Sequence, residues 1–153
     1  MKSGAARLSS LSLKITAVLI LLFAMAHTLG YPWVGRMSAE NVAKLMEVFD
    51  STKTVTQGFA RTYGDTHVGF GLYIALFFVV QAIVTWRLAE SAASDIALAR
   101  FVTALFAIQY AGTVLLDFFY FFWGPIIFSA FIVAGYLTSF ALIPSRADLG
   151  AAA

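Results

Sequence analysis

The chain has 153 residues, of which 61% are hydrophobic and only 12% charged. A soluble domain carries about 25% charge, so these values and a mean hydropathy of +0.86 exclude an ordinary water-soluble globule and predict an integral membrane protein. A net charge of +2 suits anionic lipid headgroups and is too sparse for a nucleic-acid surface, while the lack of cysteine excludes disulfides, thiolate metal sites, iron–sulfur clusters and covalent c-type haem.

The first apolar run spans residues 11–30, with Lys14 near its start. Within it Ala24-Met25-Ala26 satisfies the small-x-small rule of a signal-peptidase site. Cleavage there would expose His27 as a new N-terminus, whose amine and imidazole chelate copper. The apolar run continues through Ala26 and Leu29, however, and Trp33 stands where an interfacial anchor belongs. The expectation is therefore an uncut membrane span with His27 in its last turn.

Residues 34–65 form the one sizeable polar segment. Ser38 is placed to cap a short helix there, with Glu40 in its first turn. Val42, Leu45, Met46 and Phe49 recur at helical spacing and predict an amphipathic helix that lies on the membrane surface or lids the bundle.

The second span covers residues 66–86 and a short polar link leads to the third, residues 96–118, which Arg100 interrupts near its start. Gly124 is expected to make a tight turn and Pro125 to open the fourth span, residues 125–143. The aromatic run Phe118 to Trp123 circles the helix axis and predicts an anchor at the outer headgroup level. Each span approaches or exceeds the ~20 residues that cross ~30 Å of hydrocarbon, and lipid leaves helices as the only way to satisfy the backbone. The predicted fold is all-α: one domain over residues 1–153, a four-transmembrane-helix bundle with a short amphipathic helix in the long loop between helices 1 and 2.

Basic residues near span ends set the orientation. With the N-terminus inside, Lys2, Arg7, Lys14, Arg87, Arg100 and Arg146 fall on the cytoplasmic side, and Arg36, Lys44, Lys53 and Arg61 outside. Both termini are thus expected in the cytoplasm, with Trp33 and Trp123 at the outer interface and Trp86 at the inner one.

Ionisable groups in or beside spans are the candidates for chemistry. His27 closes the first span, His67 opens the second with Asp65 before it, and Asp117 ends the third, all at the outer level. Helical phase puts His67, Gly71, Ile74, Phe78, Gln81 and Thr85 on one face of the second span. Thr103, Phe106, Tyr110 and Asp117 share a face of the third, Thr16, Ile20, Phe23 and His27 of the first, and Ser129 and Tyr136 of the fourth. Polar groups avoid lipid, so these stripes are expected to face one another as a pocket or seam, floored by Gln81, Gln109 or Tyr110.

Several readings of this cluster stand together. The groups are structural, bonding across helices, capping the second span at Asp65, or pairing Asp117 with Arg36 or Arg61. Two imidazoles on adjacent helices ligate a haem iron, or with carboxylates a zinc or iron ion, although no i, i+4 ligand pair marks a metal motif. A membrane enzyme uses His27 and Asp117 as acid and base, with Tyr73, Tyr110, Phe119 and Tyr120 stabilising a cation. A binding protein takes a small lipophilic ligand, or the chain serves a larger membrane complex or a homo-oligomer.

"HTLG" ending the first span, "RTYGD" before the second and "GFGL" within it resemble a family of small, uncharacterised bacterial four-helix membrane proteins. The matching positions are His27, Thr28 and Gly30; Arg61, Thr62, Tyr63 and Asp65; and Gly69, Phe70, Gly71 and Leu72. The resemblance covers most of the chain. It implies a four-helix fold in a bacterial plasma membrane, brings no biochemical activity, and favours His27, Arg61, Tyr63 and Asp65 as the polar cluster. The combined expectation is a membrane-embedded ligand-binding or accessory protein whose pocket comprises His27, Arg61, Tyr63, Asp65, His67, Gly71, Tyr110 and Asp117. The alternative is a small membrane enzyme.

Overall fold

The computed structural model describes residues 2–30 and 40–144. Trp33, Arg36, Ser38 and Arg146 lie outside them, and with them the anchor, the ion pair and the helix cap expected there. The elements run α1 (Lys2–Gly30), α2 (Glu40–Ser51), β1 (Lys53–Thr56), β2 (Phe59–Thr62), α3 (Tyr63–Ser91), α4 (Ile96–Tyr120) and α5 (Trp123–Leu142). Four of the helices, α1, α3, α4 and α5, are long and apolar enough to cross a membrane. At 1.5 Å per residue the shortest, of 20 residues, already spans about 30 Å.

Helix ends depart from the hydropathy boundaries for local reasons. α1 starts at Lys2 because the stretch before residue 11 carries no proline, and the single Gly4 is too weak a breaker to stop the helix. α4 opens at an N-cap, Asp95, whose carboxylate accepts from the Leu98 amide at 3.0 Å. The α4–α5 turn is Phe121–Phe122, and α5 starts at Trp123. Pro125 therefore sits within the first helical turn, where its missing N–H costs nothing.

The chain divides into two compact units, Met1–Phe23 with Val80–Ala153, and Ala24–Val79. In the first, the start of α1, the end of α3, α4 and α5 pack together. Leu13, Ile20, Tyr110, Ile132 and Tyr136 are fully buried there, with small Ala17, Ala82, Ala89 and Ala99 between them. α1 and α5 approach closely where Gly135 faces Thr16. A Cβ on Gly135 would run into the Thr16 hydroxyl, Ser12 donates to the Gly135 carbonyl at 3.0 Å, and Ser9 donates to the Ser139 carbonyl at 3.4 Å. Small residues that let backbones meet, backed by hydroxyl donors, are how helices associate without a hydrophobic drive. Arg100 of α4 ties down the end of α5. Its guanidinium donates to the Phe140 carbonyl at 3.3 Å and to that of Ile143, and lies 4.3 Å from the Phe140 ring centre. Both carbonyls belong to the helix end, where intrahelical donors run out.

The outward faces of these helices are apolar. Ile15 and Val18 of α1, Leu105 and Ile108 of α4, and Phe131 and Leu137 of α5 are all about half exposed or more. A continuous surface of this kind fits hydrocarbon and not water.

The second unit holds the end of α1, α2, the hairpin and the start of α3. In place of the expected loop, β1 and β2 pair antiparallel, Lys53 opposite Thr62 and Thr56 opposite Phe59. Two residues, Gln57 and Gly58, close the hairpin with φ of 53° and 85°. This double left-handed geometry is what a tight hairpin turn requires, and glycine supplies half of it without strain.

Candidate functional site

Most buried polar side chains of the first unit follow the stripes that helical phase predicted, with Ser9 and Ser139 added to them, and the α3 stripe is corrected at one position in the second unit. On α3 Ile74, expected inward, is 40% exposed and Ala75 takes the buried place. Gln81, Thr85, Thr103, Asp117 and Ser129 are buried. Apart from Thr103, each is hydrogen-bonded to another polar side chain. Tyr110 donates its hydroxyl to Gln81 Oε1 at 3.2 Å, and Gln81 Nε2 donates to Gln109 Oε1 at 3.3 Å. The Thr85 and Tyr136 hydroxyls lie 2.6 Å apart. Thr85 also lies 2.8 Å from the Gln81 carbonyl, which only accepts, so Thr85 turns its proton there and Tyr136 donates to Thr85. The Tyr110 and Tyr136 rings stand 5.9 Å apart, with Phe106 against Tyr136 at 5.5 Å.

Asp117, 5% exposed near the end of α4, accepts from the Ser129 hydroxyl at 2.7 Å. A carboxylate in the last turn of a helix meets the unfavourable end of the helix dipole, so the hydroxyl from α5 is what holds it there. Among the described residues, Thr103 Oγ1 is the buried side-chain oxygen without a hydrogen-bond partner.

The other candidates belong to the second unit. His27 Nε2 lies 3.1 Å from the carbonyl of Gly71. A carbonyl only accepts, so Nε2 carries the proton and a neutral ring turns its lone pair to Nδ1. The imidazole also meets the edge of Phe78, centroids 6.1 Å apart. Gly71, expected as a point of close approach, is thus the partner of His27. Thr28 is back-bonded to the Ala24 carbonyl at 2.7 Å, within its own helix. His67 is half-buried one turn before Gly71 on the same face of α3.

"RTYGD" has a local explanation. The Thr62 amide donates to Asp65 Oδ2 and the Asp65 amide donates to Thr62 Oγ1, each at 2.9 Å. This reciprocal pair is a capping box with Thr62 as N-cap, satisfying two donors that the first turn of α3 would leave orphaned. Gly64 allows the close approach of α2, since a Cβ there would overlap the Asp50 carboxylate. Tyr63, 52% exposed, packs on Phe49 with centroids 6.1 Å apart. Arg61 is exposed on β2, donating to the Ala60 carbonyl at 2.8 Å with its guanidinium 5.9 Å from the Phe59 ring. Arg61, Asp65 and Thr66 line a shallow surface depression.

The eight predicted pocket residues therefore divide. Tyr110 and Asp117 sit in the first unit, bonded to Gln81 and Ser129. His27 and Gly71 meet in the second with His67 one turn before Gly71, Asp65 caps α3, and Arg61 and Tyr63 flank that cap. Among the described residues no three His, Asp or Glu side chains converge closely enough to hold a metal ion. The reading of sequence missed Thr62, although a Thr-x-x-Asp spacing ahead of an apolar run is itself the signature of a capping box. It also missed Gly135, which reads in sequence as one more small residue. Comparison with known protein families, with characterised proteins and with solved structures finds no match for this chain.

Proposed function

We propose that this is a multi-pass membrane protein that acts by binding: it holds a lipophilic molecule or a partner chain within the bilayer, as an accessory subunit does. The observation that carries this reading is the pairing of the buried polar groups. Gln81 with Tyr110 and Gln109, Thr85 with Tyr136, and Asp117 with Ser129 spend their hydrogen bonds on one another, as groups that fasten helices together do.

The four apolar helices cross the bilayer with both termini cytoplasmic, as the basic residues at their ends favour. Leu45 and Val48, exposed on α2 beside Lys44 and Glu47, make that helix an interfacial one. The likeness of its motifs to small bacterial four-helix proteins supports a bacterial plasma membrane.

The test is to extract the chain from native membranes with a mild detergent and weigh the intact assembly. The expected mass exceeds that of the chain by a retained lipophilic molecule or a partner protein. A bare chain, or one that washes from the membrane in alkaline carbonate, overturns the reading.

A further inference from the structure

One groove in the first unit belongs neither to the polar seam nor to the histidine end of α1. At its wide end a cavity of about 510 Å³ opens between the start of α1, the end of α3 and the start of α4. This is the size of a small-molecule site. Its α1 wall carries Arg7, Ser10 and Lys14, and its opposite wall is mostly small: Ala89, Ala92 and Ala93. One acidic residue, Glu90, lines it. That carboxylate is already engaged, accepting from Arg87 at 2.8 Å and from the Trp86 indole N–H at 3.1 Å. Two cations therefore face the cavity against an acid neutralised by a third.

A second cavity, of about 230 Å³, lies next along the same two helices. Ala17, Val18 and Leu21 of α1 and Ala82, Ile83 and Trp86 of α3 line it, and its walls are apolar apart from Arg87. Among the α1 positions that line the two cavities, 7, 10, 14, 17 or 18, and 21 advance by three or four residues and so share one helical stripe, with Ala6, Ser9 and Leu11 beside it at the wide end. Lys14 stands at the junction, its ammonium 5.4 Å from the centre of the Trp86 ring. A tryptophan beside a lysine on an apolar stem marks the level where hydrocarbon gives way to headgroups.

We propose that this groove is a binding site for one anionic phospholipid, its phosphate held by Arg7 and Lys14 and an acyl chain lying along Ala17, Val18, Ala82 and Ile83 beneath Trp86. Charge complementarity selects the head, since basic recesses between membrane helices recognise anionic headgroups. The change from a cationic to an apolar lining along one stripe selects an amphiphile over a free anion. The site deepens the binding role proposed above and rests on its membrane reading to put the wide end at headgroup level.

The experiment uses the full chain with Trp33→Phe and Trp123→Phe, which leaves Trp86 as the sole indole. It is reconstituted in phosphatidylcholine vesicles, and Trp86 quenching is compared for brominated phosphatidylglycerol and brominated phosphatidylcholine. The site requires Trp86 quenching to reach half-saturation at a lower mole fraction of the anionic lipid, lower by about fivefold for each basic contact. Arg7→Gln with Lys14→Gln should bring the two lipids level, whereas Arg7→Lys with Lys14→Arg should keep the preference and show that the fold survives at these positions. Equal quenching by both lipids overturns the site, as does a preference that survives the double glutamine variant. Loss of the preference in inorganic phosphate at constant ionic strength assigns the cations to a free anion and overturns the lipid. Retention in the alkaline-carbonate pellet separates these failures from a failure of the membrane reading itself.

Discussion

The two units solve the same problem, satisfying polar groups beside an apolar surface, in opposite ways. In the first unit the solution is long-range: Thr85 finds Tyr136 and Asp117 finds Ser129 on different helices, so each bond fixes the rotation of one helix against another. In the second, the His27–Gly71 contact aside, the solution is local. Thr62 and Asp65 serve each other three residues apart, and Gln57 and Gly58 close a hairpin whose partners are sequence neighbours. Long-range pairs specify packing, local ones specify where elements begin and end, and a substitution should betray which kind it has struck.

The largest effect is expected at the α1–α5 crossing. Gly135→Leu puts side-chain atoms where Thr16 now lies and should cost about 2–3 kcal/mol, read as a lower denaturation midpoint in detergent titration. Thr16→Ala in the same chain should return part of it. A neutral Gly135→Leu would mean that the helices are free to separate, and the contrast between the units would fall.

A smaller and strictly local loss is expected from Asp65→Ala. Removing half of the capping box should cost about 1 kcal/mol, and hydrogen exchange should locate it: faster amides in the first turn of α3, with α4 and α5 unchanged. Faster exchange in α4 as well would show the cap acting at long range.

Smallest of the three is Tyr136→Phe. It deletes the bond to Thr85, yet Thr85 keeps the Gln81 carbonyl, and single side-chain bonds within membrane bundles average about 0.6 kcal/mol. A loss well above that would show that the tyrosine hydroxyl sets packing that its neighbours cannot restore.

What sequence made legible divides along the same line. The long helices were readable because runs of about 20 apolar residues have few other uses. Their inward faces were readable because polar residues on an apolar helix avoid lipid, which placed Thr85, Thr103, Asp117 and Ser129 correctly. Partners were not readable. That His27 would meet the Gly71 carbonyl, or that Asp117 would be held by Ser129, depends on how far each helix slides and turns, which periodicity leaves free. The hairpin escaped for a different reason. Thr54, Val55 and Thr56 have strand propensity, but both strands are short and exposed, so no alternation of buried and exposed residues announced them.

Gly135 also limits how this sequence can drift. The outward leucines, valines and phenylalanines face no fixed neighbour, so any apolar residue of similar bulk serves, and they are free to turn over. The crossing of α1 and α5 is not free: Ser9, Ser12 and Thr16 on one helix and Gly135 and Ser139 on the other must vary together or not at all. Distant descendants of the same ancestor should therefore look unrelated over most of their length. They should still share a Ser-x-x-Ser-x-x-x-Thr stretch early in the chain and Gly-x-x-x-Ser near its end.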